Sequence, residues 1–179
     1  MADAAREEGA TAARAYRLPA VLLGIGLGGF FDGIVLHQIL QWHHMVSHLY
    51  PPVKLANLHL NTTLDGFFHA VTWLVTLLGV ALVWRRMAET RERPAGRVLV
   101  GGLLVGWGGF DLVEGAINHQ LVGLHHVRPG PDELLYDMGF LIWGGAMLAV
   151  GAYLLRARRE AAATPASPWA MSQRRKRTR

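Results

Sequence analysis

"DGIVLHQILQWHH", residues 32–44, and "EGAINHQLVGLHH", residues 114–126, decide how this chain is read. Acid, glycine, histidine, glutamine and a histidine pair recur at identical offsets, D-G-x3-H-Q-x4-H-H against E-G-x3-H-Q-x4-H-H. Each copy closes an apolar run. Each is followed by a connector and a further apolar run with an early aspartate, Asp65 in "LDGFFH" and Asp137 in "YDMGF". The chain therefore reads as a two-helix unit present twice in tandem.

The four apolar runs are Pro19 to Leu40, Leu64 to Trp84, Val98 to Leu121 and Leu134 to Leu155. A helix of roughly 20 apolar residues crosses a hydrocarbon core of about 30 Å. Composition agrees: 51% of the 179 residues are hydrophobic and 17% charged, against about 25% charged in a soluble domain. Mean hydropathy is +0.22. Gly24, Gly28, Gly102 and Gly106 would weaken soluble helices but suit membrane helices, where small residues let backbones approach. The expected fold is an all-α integral membrane four-helix bundle built from two tandem two-helix repeats, residues 18–86 and 97–156. An even number of spans separates the copies, so a pseudo-two-fold axis should run along the membrane normal. Residues 1–17 form an N-terminal tail, and 157–179 a basic, disordered C-terminal tail.

Sixteen of the 18 Lys and Arg residues, all but Lys54 and Arg128, lie in the tails or between spans two and three. The positive-inside rule then makes both termini cytoplasmic and exposes the other two loops outside. A cleaved signal peptide is rejected, because the first span carries Asp32 and His37. The net charge of +5 is not spread over a folded face, so nucleic acid is not an expected partner. The chain has no cysteine, which excludes disulfides, thiolate metal sites and thiol nucleophiles. "GIGLGG", residues 24–29, matches a dinucleotide fingerprint only in letters, because no strand precedes it. In "NTT", Asn61, Thr62 or Thr63 is expected to cap the second helix. His48 and His59 are left undecided, a place in a loop being account enough for either.

Seven residues make almost two α-helical turns, so His37 and His44 share a face, as do His119 and His126. His43 and His125 fall above Asp32 and Glu114. Helices two and four add Asp65, His69 and Asp137. An ionised acid at the centre of a membrane helix costs about 2.5–3.5 kcal/mol on insertion scales. Asp32, Asp111 and Glu114 all lie near mid-span, and a bound cation or a proton path would offset that cost. The leading expectation is a transition metal, copper, iron or zinc, bound near the outer face. Imidazole and carboxylate donors suit these ions. His37, His44, His119 and His126 come first as ligands, with Asp65 and Asp137 as further ligands. His43, His125, His69, Asp32 and Glu114 complete the candidate set, and Gln38 and Gln120 hydrogen-bond behind it. Met45 and Met138 offer thioethers nearby. Redox chemistry and metal handling both fit such a site. The alternatives are b-type haem held by His37 and His119 for electron transfer, and a proton-coupled channel or transporter using the deep acids.

The segments "GFFDGIVLHQILQWHHM" and "GGFDLVEGAINHQLVGLHH" resemble a bacterial family of four-span membrane proteins described only as a domain of unknown function. The resemblance covers residues 18–156. It implies a multi-pass protein of the bacterial inner membrane, with the lipid bilayer around it. A respiratory or metal-assembly membrane protein is its implied partner. The histidines are also similar to the boxes of membrane di-iron desaturases. The H-x5-H-H spacing and the external face depart from those boxes.

Overall fold

A computed structural model describes residues 14–90 and 93–163, with side chains as far as Arg156. The described residues form helices and no strand. Helix α1 spans Arg17–Phe31 and runs straight into a π-helical segment, Asp32–Ile39. Helix α2 spans Leu55–Thr90. Helix α3, Gly96–Glu114, again continues as a π-helical segment, Gly115–Leu121. Helix α4 spans Glu133–Ala163. All four are long and apolar enough to cross a membrane.

Burial shows how they are arranged. The most apolar windows of α1 and α3 are each 44% buried, against 11% for α2 and 17% for α4. The first and third helices are therefore the central pair, with α2 packed on α1 and α4 on α3. Glycine makes the central crossing possible. A Cβ on Gly24 would collide with the Leu103 carbonyl, and one on Gly106 with the Val21 carbonyl. Close backbone approach of this kind supplies the packing that water-driven burial cannot supply in lipid. Leu77, Val71, Trp84 and Ile142 face outward instead, as a lipid-bathed surface allows.

The π-helical turns fix the site. In an α-helix, residues five apart point about 140° away from each other. Hydrogen bonding from i to i+5 stacks such residues instead. Asp32 and His37 are thereby brought together, as are Glu114 and His119. Each segment ends alike. Leu40 N donates to Val35 O at 2.8 Å and Val122 N to Ile117 O at 2.8 Å. The next residue turns left-handed, Gln41 with φ 51° and Gly123 with φ 62°. The chain then folds back over the helix end, where Trp42 N donates to Leu36 O and Leu124 N to Asn118 O. The Arg128 guanidinium lies 5.5 Å from the Trp42 ring and 5.2 Å from Tyr136, joining the two loops.

Three expectations need correction. The second helix begins at Leu55, so Asn61 is inside it and caps nothing. Its fully buried amide accepts from Val46 N and donates to the Tyr50 and Asn57 carbonyls, pinning the loop that precedes the helix. His59 lies on the same helix, exposed, not in a loop. The fourth helix runs to Ala163, beyond the expected tail boundary at residue 157. The remainder of that tail, 164–179, and the first 13 residues lie outside the described residues.

Candidate metal centre

Among the described residues eleven polar side chains are buried, and most of them converge where the 40–54 and 122–132 loops cover the central helices. Four imidazoles form the inner layer. His43 and His125 stack face to face, with ring centres 4.5 Å apart and an interplanar angle of 8°. His37 meets His43 edge-on at 4.5 Å, and His119 meets His125 at 5.0 Å. Across the pair, His37 lies 5.9 Å from His125 and His119 lies 6.1 Å from His43, ring centre to ring centre.

Three of the rings have one nitrogen hydrogen-bonded outward, and the fourth, His119, approaches a carboxylate on that side without bonding to it. His37 Nδ1–H donates to Asp65 Oδ1 at 3.0 Å, and His119 Nδ1 lies 3.5 Å from Asp137 Oδ1. His43 Nδ1–H donates to the Val127 carbonyl at 2.8 Å, and His125 Nδ1–H to the Met45 carbonyl at 3.0 Å. A carbonyl only accepts, so these last two hydrogens are fixed on Nδ1. The Nε2 atoms of all four rings face inward, over the carboxylates of Asp32 and Glu114. His37 Nε2 is 3.2 Å from Asp32 Oδ2, and His43 Nε2 is 3.7 Å from Asp32 Oδ1. His119 Nε2 is 3.3 Å and His125 Nε2 2.8 Å from Glu114 Oε1. Among the described residues, His37 Nε2, His43 Nε2 and His119 Nε2 have no hydrogen-bond partner. Burial pushes the His43 imidazole well below the ordinary histidine range, and His125 and His37 beside it push the same way.

Asp65 and Asp137 lie behind the imidazoles, on the Nδ1 side. Asp65 also accepts from His44 Nδ1 at 2.6 Å, Gln38 Nε2 at 3.2 Å and Met45 N at 3.0 Å. Asp137 accepts from His126 Nδ1 at 2.7 Å, Gln120 Nε2 at 3.0 Å and Val127 N at 2.9 Å. Such carboxylate–histidine pairs fix tautomer and ring orientation behind metal ligands. His44 and His126 therefore occupy the rim, where His48 meets His126 edge-on at 5.2 Å. A cavity of about 500 Å3 opens above them, lined by His43, His44 and His48 among others.

Two donor sets lie within 4.8 Å, His37 with His43 and His125, and Glu114 with His119 and His125. His125 belongs to both. Of the residues expected from the sequence, His37, His43, His119, His125, Asp32 and Glu114 meet at this centre. His44, His126, Asp65, Asp137, Gln38 and Gln120 surround it. His69 is elsewhere: its Nε2 lies where a Cβ on Gly33 would be, unpartnered among the described residues. Asp111 is 1% exposed and stands one turn before Glu114. The Val127 and Met45 carbonyls escape sequence reasoning, because any residue carries a carbonyl.

The chain belongs to the family described as "Predicted membrane protein (DUF2243)", whose model matches residues 19–158. Neither a curated protein nor a solved structure gives a match.

Proposed function

We propose that this member of the family is a multi-pass protein of the bacterial inner membrane that holds one or two transition-metal ions between its four inner histidines and the carboxylates of Asp32 and Glu114. One observation carries the reading. His125 has given its Nδ1 hydrogen to the Met45 carbonyl, yet its Nε2 lies 2.8 Å from Glu114 Oε1. A lone pair facing a carboxylate oxygen at that distance calls for either a proton or a metal ion between them. His37 Nε2 and His119 Nε2 face Asp32 and Glu114 at 3.2 and 3.3 Å, in a buried site where charge is poorly screened. Protonating every ring would stack two imidazolium ions, His43 on His125, at 4.5 Å. A divalent ion satisfies all the lone pairs with less mutual repulsion.

Nitrogen and oxygen donors without thiolate suit copper(II), iron or zinc. The rim histidines His44, His48 and His126 offer an approach from the loop side, which the positive-inside rule places outside the cytoplasm. Delivery of metal to, or redox exchange with, a respiratory or metal-assembly membrane protein fits that placement.

The test is elemental analysis of protein purified from its native membrane. Wild type should carry one or two equivalents of one transition metal. His43→Gln and His125→Gln should each lose most of it while the protein stays folded. A metal content unchanged in the double variant would sink the reading.

A further inference from the structure

A second cavity, a groove of about 520 Å3, approaches the centre from the lipid-facing side, between α1, α2 and α3. Val21, Ile25 and Val105 line its deeper length, and Phe68 and Phe110 the part nearer the loops. Its only polar side chains are Glu114 and Asn118. Glu114 is 8% exposed. Its Oε1 serves His125, His119 and the Asn118 amide, whereas Oε2 has no hydrogen-bond partner among the described residues. Phe68, one wall of the groove, stacks on His37 with ring centres 5.7 Å apart and planes 21° from parallel. An aromatic ring seated there would be one side chain away from the metal-binding imidazoles.

The matching groove on the other half is different. It measures about 330 Å3 and is lined by Phe31, Leu36, Val127 and Phe140 among others, with no carboxylate or amide side chain. Leu36 occupies the motif position of Asn118, and Phe31 that of Val113. Of these two grooves, only the larger combines an apolar channel with a carboxylate.

We propose that the larger groove binds a lipid-soluble hydroquinone. The ring rests against Phe68 and Phe110, the apolar tail lies along Val21, Ile25 and Val105, and a hydroxyl donates to Glu114 Oε2 as that covered oxygen turns toward the groove. A lipid acyl chain would fill the wall equally well but would leave a buried carboxylate oxygen without a donor, which is costly. The hydroquinone supplies both the hydrocarbon and the missing O–H. The proposal takes the centre described above as its neighbour, but binding itself requires no metal.

The experiment uses the full-length protein in phosphatidylcholine nanodiscs, both metal-loaded and chelated, titrated anaerobically with decylubiquinol, decylubiquinone and dodecane. Saturable binding of the quinol is expected in both states. The oxidised quinone, which has no hydroxyl to donate to Glu114, should bind about tenfold more weakly. A Cβ on Gly109 meets nothing within 4 Å, so Gly109→Leu projects into the groove without disturbing the helices. It should weaken quinol binding at least about tenfold, with Gly109→Ala intermediate and metal content unchanged in both. Equal affinity for quinol and quinone, full competition by dodecane, or quinol binding intact in Gly109→Leu would each overturn the proposal and leave only a furrow for lipid. A protein that takes up no transition metal yet binds quinol in this way would refute the metal centre and not the groove.

Discussion

His43 donates its Nδ1 hydrogen to the carbonyl of Val127, 84 residues along the chain, at 2.8 Å. His125 makes the reciprocal bond to Met45, 80 residues back. Each half thus orients the inner imidazole of the other, and neither holds a finished centre. A chain broken in the connector between α2 and α3 should therefore behave as two interdependent fragments. Expressed singly, each should retain no metal above background. Expressed together, they should recover the content of the intact protein. Full metal loading of one fragment by itself would contradict this interlock.

Asp65 accepts four hydrogen bonds, from two histidines, one glutamine and a main-chain N–H. Asp65→Asn replaces an acceptor with an N–H donor and leaves one imidazole unsupported. Metal affinity, measured by competition with a chelator, should fall about 10- to 100-fold. His44→Gln, at the rim and outside both donor sets, should change affinity by less than about threefold, below the loss typical of a residue that orients a ligand. Similar losses in both variants would make His44 a ligand.

Gln41 and Gly123 occupy the same motif position with φ of 51° and 62°. Glycine adopts that conformation freely, whereas a side chain there costs roughly 1–2 kcal/mol. Gln41→Gly should raise stability by about 1 kcal/mol and Gly123→Ala should lower it by a similar amount. Unfolding of both variants in one detergent measures the pair. A destabilised Gln41→Gly protein would mean that the glutamine side chain contributes more than its backbone costs.

Membrane orientation is open to direct labelling. Single cysteines at Lys54 and Asp132, both exposed in the loop layer, should react from outside with an impermeant thiol reagent. A cysteine at Ala88, near the other end of α2, should react only after the membrane is opened. The reverse pattern would turn the histidines toward the cytoplasm.

The helices and the participants in the centre were legible in the sequence because hydrophobic length and a repeated motif are local signals. The grouping of the rings was not. An α-helical wheel pairs His37 with His44 and sets Asp32 beneath His43. The actual neighbours of Asp32 are His37, at 3.2 Å, and His43, at 3.7 Å. The π-helical segment rotates His37 back over its acid, and no residue in "DGIVLHQI" announces it. The ends of α2 and α4 were misjudged for another reason. Polar stretches such as "LANLHLNTT" look like loop when only apolar residues are counted, yet a helix can continue past the hydrocarbon.

The five-residue bonding between Asp32 and His37 also makes helical register a coordinate of the centre. Slipping from π to α spacing would move His37 about 100° around the axis per residue, away from Asp32, with no change in composition, span length or lipid-facing surface. The same holds for Glu114 and His119. On the proposed metal reading, an ion between acid and imidazole would act as a clutch. Engaged, it would hold two helices in an uncommon winding, and its departure would free both to rewind without unfolding. Occupancy at the centre could then be felt along α1 and α3, down to the glycine crossing where Gly24 and Gly106 meet the opposite backbone.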